Sequence, residues 1–162
     1  MGIALLFFAI AVHNLLRSGE AREATYSSVA YGGWVVVVAG LSQMVMWSWG
    51  LINGAAGAAD DTALRSLSYV AYFGWAGMGI GLAAAFIATG LGAMSSAVLP
   101  RWFAILTIVP GVLGALGDAD IPPGGLVNYV LLPLCLITAS IVIARSNRRA
   151  ARPIQQAPLV SS

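Results

Sequence analysis

One histidine, one cysteine and six carboxylates supply most of the general acid–base chemistry open near neutral pH to this 162-residue chain, which contains no lysine. His13 is followed by Asn14, with Arg17 four residues on. A lone histidine rules out a bis-histidine haem and argues against a histidine-rich metal site. A proton relay through His13 needs a carboxylate within the same apolar run. Every Asp and Glu falls in a connection between runs instead, so His13 reads as a helix-end residue in contact with water or a neighbouring helix. Cys135 lies inside the last apolar run, too deep for juxtamembrane acylation, and as the only cysteine it excludes an intramolecular disulfide. It reads as a small apolar filler.

Four of the carboxylates, Asp60, Asp61, Asp118 and Asp120, sit in two connections. If these connections converge, their oxygens suit a hard cation such as calcium or magnesium. Neither connection has the twelve-residue calcium-loop pattern, and each pair has a structural reading: Asp60 and Asp61 as caps for a helix entering at 62–67, with Asp61 one turn before Arg65, and Asp118 and Asp120 in a Gly/Pro-rich turn. Gln43, with Met44, Met46 and Trp47, is the most polar patch inside an apolar run. By helical spacing Gln43 shares a face with Met46 or Trp47 and with Gly50. It is a candidate for a ligand contact or an inter-helix hydrogen bond, and a copper path through Met44 and Met46 lacks further soft ligands. No serine–histidine–acid set, glycine-rich phosphate loop, zincin histidine pair or paired intramembrane aspartates appears. The sequence therefore implies no catalytic residues, cofactor or resident metal.

The elements that must position these groups are five uncharged apolar runs. They predict an all-α polytopic transmembrane bundle over residues 1–147, with helices at about 2–16, 29–52, 67–94, 102–117 and 124–145. Arg17, Arg22, Arg101, Arg145, Arg148, Arg149 and Arg152 fall on one side of this ladder, and Arg65 alone on the other. The positive-inside pattern then places the N-terminus outside and the C-terminus in the cytoplasm of a bacterial plasma membrane. The first run has its positive flank after the apolar stretch, the reverse of a cleavable signal peptide. Tyr31 and Trp34 near one end of the second run, and Trp47 and Trp49 near the other, suit two interfacial belts. Pro110 and Pro133 predict kinks in the last two helices.

Glycine spacing suggests how the helices meet. Gly77 and Gly81 form a small-xxx-small pair in the third run, and Gly111 and Gly114 recur at three-residue spacing in the fourth. Lipid is as apolar as leucine, so membrane helices associate through close backbone approach, and these faces are the expected packing surfaces. They are read chiefly as intramolecular, with a homodimer seam or a backbone-lined solute path as the functional alternatives.

Composition fits this picture. Hydrophobic residues are 59% of the chain and charged residues 9%, against roughly a quarter charged in a soluble domain, so lipid must act as solvent for much of it. A net charge of +2 gives no footprint for nucleic acid. Arg145, Arg148, Arg149 and Arg152 are placed to meet anionic lipid headgroups, and residues 148–162 read as a basic and then disordered cytoplasmic tail.

The order of features resembles a family of small uncharacterised bacterial multi-pass membrane proteins of actinobacterial type. The resemblance rests on Leu99-Pro100-Arg101-Trp102 leading into 105–117, on the closing Arg145-Ser146-Asn147-Arg148-Arg149, and on the approach at 60–67. Such relatives often have six helices, which implies that this chain starts inside the pattern, one helix short. The resemblance supplies no catalytic residues and supports fold and location only. The expected role is a non-enzymatic accessory or interaction protein, with a homo-oligomer or another membrane protein as partner. The alternative is a transporter or permease component with a path near Gln43 and the Gly77/Gly81 face.

Overall fold

The computed structural model describes residues 2–20, 24–55, 61–96, 99–119, 130, 133–142 and 144–145. Among them all regular structure is helical. The helices are α1 (Gly2–Arg17), α2 (Thr25–Gly50) continued by a π-helical turn (Leu51–Ala55), α3 (Asp61–Ser96), α4 (Arg101–Asp118) and α5 (Pro133–Val142). Three segments are long and apolar enough to cross a membrane: Thr25–Asn53, Asp61–Ser96 and Arg101–Asp118. Of the two further spans expected from sequence, 2–16 corresponds to the shorter apolar helix α1, and 124–145 is represented by α5. Residues 124–129, Asp60, Asp120, Arg148, Arg149, Arg152 and the tail lie outside the described residues.

α2 begins earlier than hydropathy predicts, while α3 begins where the paired aspartates mark its entry. α2 starts at Thr25 rather than 29 because its polar first turn is hydrogen-bonded from nearby. Ser27 and Ser28 donate their hydroxyls to the Ala24 carbonyl, at 3.0 and 2.9 Å. Glu20, upstream, accepts from the Ser27 N–H through both carboxylate oxygens, at 2.9 and 3.2 Å. A carboxylate here satisfies orphan N–H groups and complements the positive end of the helix dipole. α3 starts at Asp61, an acidic residue in the first turn, where the same dipole favours it. No ion pair joins Asp61 to Arg65.

α2 and α3 pack antiparallel along the most extensive interface among the described helices. Four glycines create it, spaced seven apart on each helix. A Cβ built on Gly33 would lie 2.6 Å from the Ala85 nitrogen and 2.8 Å from the Gly81 oxygen, and one on Gly81 would lie 2.7 Å from the Gly33 oxygen. One step along, a Cβ on Gly40 would lie 2.7 Å from the Gly74 oxygen, and one on Gly74 3.0 Å from the Met44 nitrogen. These are backbone atoms that cannot rotate away, so the two helices are in contact main chain to main chain. Gly77, paired with Gly81 in the sequence, is open: nothing lies within 4 Å of a Cβ there. Gly111 packs against Ile87 and Phe86 on α3, and Gly114 is buried.

The remaining helices cover only part of this pair. α1 runs antiparallel to α2, with Gly2 against Val38 and His13 against Ser27. α4 runs back along α3 from its C-terminal end as far as Gly79, where the Asp118 carboxylate rests. At 1.5 Å per residue α1 spans about 24 Å and α4 about 27 Å, whereas α3 spans about 54 Å. Among the described residues, the α2–α3 hairpin therefore extends beyond the shorter helices packed on it. Inside that bundle Trp34, 2% exposed, sits edge-on between Phe8 and Phe86, with ring centroids 5.2 and 5.6 Å apart. The interfacial belt expected for Trp34 does not include it, because its face of α2 is the one that α1 and α3 cover.

The glycine contacts predict opposite outcomes at nearby positions. Gly33→Val should cost about 1–3 kcal/mol or more through overpacking against fixed backbone. Gly77→Ala, with free space and better helix propensity, should be neutral or stabilising by up to about 1 kcal/mol. Unfolding of the purified protein in detergent, followed by circular dichroism, checks both.

Candidate functional site

The most polar constellation lies where the end of α1 meets the start of α2. His13 Nδ1 is 3.1 Å from the Ser27 carbonyl oxygen, so Nδ1–H donates to it. The ring also meets Tyr31, with centroids 5.7 Å apart and planes tilted by 58°. Ser27 is fully buried and fully engaged. Its N–H donates to Glu20, its hydroxyl to Ala24, and its carbonyl accepts from His13. Gly92 of α3 provides the floor: a Cβ there would lie 3.1 Å from Tyr26 Cβ and 3.2 Å from Glu20 Oε1. Ala24, at φ 43°, turns the chain into α2 in the left-handed region, which is strained for a residue with a Cβ. The Ser27 hydroxyl points to a backbone carbonyl rather than to His13, and Glu20 is committed to the α2 N-terminus. No nucleophile–base pair is formed. The arrangement ties α1, α2 and α3 together.

A second candidate is a small, partly open cavity of about 20 Å³ at the convergence of the five helices. Its walls include Phe8, Trp34, Phe86, Phe103, Thr89 and Thr107. Both threonine hydroxyls are spent on their own helices, Thr89 on the Ala85 carbonyl at 2.6 Å and Thr107 on the Ala104 carbonyl at 2.9 Å. The Trp34 indole N–H is buried without a hydrogen-bond partner. A space of this size holds about one water molecule, and its walls are otherwise apolar. It is a packing void with little capacity for a solute.

The expected site residues are scattered. Gln43 is exposed on the outer face of α2, away from the cavity, and its amide is hydrogen-bonded to no described residue. Gly77 has open space around it, and Gly81 is sealed against α2. Asp61 opens α3 and Asp118 sits beside Gly79, so the two are about 27 Å apart along the helix and cannot share an ion. Among the described residues no group of three His, Cys, Asp or Glu side chains is placed to hold a metal.

One polar contact escaped the sequence reading. Pro110 has no N–H, so it frees the carbonyl four residues earlier, on Leu106, inside α4. The Cys135 thiol of α5 meets that carbonyl, with Sγ 3.7 Å from the Leu106 oxygen. Cys135 thus does more than fill space: it is a weak donor aimed at the acceptor that the proline exposes. The proline itself is buried, and α4 continues through it as helix. The signal was present as Pro110 and its implied orphan at Leu106, but nothing in the sequence paired that orphan with residue 135.

Cys135→Ala should leave this carbonyl unpaired and lower stability by about 1 kcal/mol, while Cys135→Ser, a stronger donor of similar size, should restore most of it. Unfolding of the two variants side by side checks the assignment.

Comparison with protein-family models, with curated proteins and with solved structures gives no match to this chain.

Proposed function

We propose that this chain is a non-enzymatic accessory or interaction protein of a bacterial plasma membrane, held there by five helices with its N-terminus outside and its C-terminus in the cytoplasm. The observation that carries the reading is the interior of the bundle. The space where the helices converge is small and apolar, its two threonine hydroxyls are turned onto backbone carbonyls of their own helices, and the Trp34 indole N–H is left without a partner. A transporter needs a polar, water-accessible path near the midplane, built from broken helices or converging polar groups. Here Gln43 faces outward, and Gly81 is packed against the α2 backbone.

Arginine placement supports the orientation. The ends of α1 and α3 and the start of α4 lie together, since Gly92 is beside Leu16, and Leu99 and Phe103 cluster with Leu15. Arg17 and Arg101 therefore share one end of the bundle, and Arg65 lies far along α3 toward the other. Facing anionic headgroups, the first pair suits the cytoplasmic leaflet, and Arg145, shortly after α5, adds to it.

On a Cys135→Ser background, single cysteines at Thr89 and Thr107 test for a water path, using a membrane-impermeant thiol reagent. Both should stay unlabelled. Controls at Thr62 should react on intact cells, and controls at Ser18 only after permeabilisation. Labelling at Thr89 or Thr107 would move the assignment to transport, and labelling of Ser18 on intact cells would invert the topology.

A further inference from the structure

The cavity among the helices is also a cleft between helix ends. α1 forms one wall with Phe8, Val12 and Leu15, and α4 and α5 form the other with Phe103 and Ala139. α1 and α4 stand on either side with their main chains hardly in contact, and the space between them is partly open. From Leu15 down to Phe8 the α1 wall is two helical turns deep, about 10 Å. Each wall helix carries an arginine at the same end. Arg17 closes α1 just beyond Leu16, Arg101 opens α4 shortly after Leu99, and Arg145 follows Val142 of α5 by about one turn. Leu15, Leu99, Phe103, Ala139 and Val142 pack into one cluster, which gathers the three arginines around one rim of the cleft. All three are exposed, and among the described residues none is paired with a carboxylate. Glu20, the carboxylate described at this end, is engaged by the Ser27 N–H. The start of α4 adds to the positive field, since no side chain caps it and its first turn holds no acidic residue.

We infer that this cleft binds one anionic phospholipid, with its phosphate at the arginine rim and one acyl chain between α1 and α4. The inference rests on the membrane reading above. The two parts of the site match the two parts of such a lipid. Unpaired guanidinium groups form short, charge-assisted hydrogen bonds with phosphate oxygens. The uncapped first turn of α4 turns its free N–H groups and the positive end of its dipole toward the same charge. Below the rim the walls are apolar, as an acyl chain requires. A free phosphate ion would meet the arginines but leave the walls unfilled. A zwitterionic lipid would fill the walls but bring its ammonium group against the arginines. At about 20 Å³ the cavity is too small for a bulky solute, whereas a single chain is narrow and enters lengthwise from the surrounding lipid. Basic pockets between membrane helices on the cytoplasmic side are where anionic headgroups bind, in keeping with the side to which Arg17 and Arg101 are assigned. A leaflet as a whole attracts every arginine near it; a cleft beneath three of them fixes one molecule.

The test uses native mass spectrometry of the purified full chain in a neutral detergent, mixed with equal amounts of phosphatidylglycerol and phosphatidylcholine bearing the same acyl chains. One phosphatidylglycerol per chain should be retained in preference, and excess inorganic phosphate should not displace it. Arg17→Gln and Arg101→Gln should each weaken retention about fivefold, as expected for loss of one arginine–headgroup contact. Arg65→Gln, at the far end of α3, should leave it unchanged. Phosphatidylglycerol with a photoreactive group midway along its chain should attach to Phe8, Val12 or Thr107 in preference to the outward-facing Ile80 or Ile105. Equal retention of the two lipids, displacement by phosphate, folded arginine variants that bind like the parent, or labels concentrated on Ile80 and Ile105 would each overturn the site. Where a glutamine variant unfolds early, the photolabel on the unaltered chain decides. Binding in detergent is read without reference to orientation, and the dry-interior reading stands or falls separately on labelling at Thr89 and Thr107.

Discussion

Main-chain contact between α2 and α3 is the constraint from which the rest of the bundle follows. In an apolar solvent no hydrophobic force drives two leucine-rich helices together, so association depends on how closely the backbones can approach. Gly33 on Gly81 and Gly40 on Gly74 bring them to the limit. That closeness fixes the antiparallel register, and the register fixes what each neighbour can reach. Trp34, immediately after Gly33, is directed between Phe8 and Phe86. Ser27, seven residues before Trp34 on the buried side, is brought to where His13 and Glu20 can bind it.

The outer helices are attached by individual polar contacts as well as by packing. α1 is pinned at its end by His13 on the Ser27 carbonyl, and the Glu20 carboxylate just beyond α1 closes over the start of α2. α5 meets α4 at the carbonyl that Pro110 frees, through Cys135. Each contact satisfies a backbone group that lipid cannot, which is the condition under which irregular backbone is tolerated at depth. The same accounting explains why the interior is poor in chemistry. Thr89 and Thr107 turn their hydroxyls onto carbonyls of their own helices, and Glu20 is used as a cap.

Much of the fold was legible because charge and hydropathy are blunt signals. Uncharged runs marked each helix, and charged or proline-rich connections separated them. Most described helix ends were legible to within a residue or two; the start of α2 was not, because Ser27 and Ser28 are polar by composition yet helical through hydrogen bonds to Ala24 and Glu20. Gly77 and Gly81 marked the right helix but the wrong spacing: the working pairs are seven residues apart and need partners at the same interval on α2. Two glycine pairs at equal intervals on successive helices were there to be found, although register alone shows that they face each other. Trp34 and Trp49 look alike in the sequence, and only the covering of one side of α2 buries the first and leaves the second exposed. The site readings fared by the same logic. His13 was legible as a helix-end residue, whereas its tautomer-setting partner lies fourteen residues away across a turn.

The central claim is that four glycines hold α2 and α3 main chain to main chain, and it can be read without any substitution. Solid-state NMR of protein labelled with ¹³C at glycine, in lipid bilayers, reports through-space contacts between glycine backbones directly. Cross-peaks linking Gly33 to Gly81 and Gly40 to Gly74 are predicted, with none from Gly77 to α2. Absence of the first two, or a Gly77 contact in their place, would contradict the register on which the whole account is built.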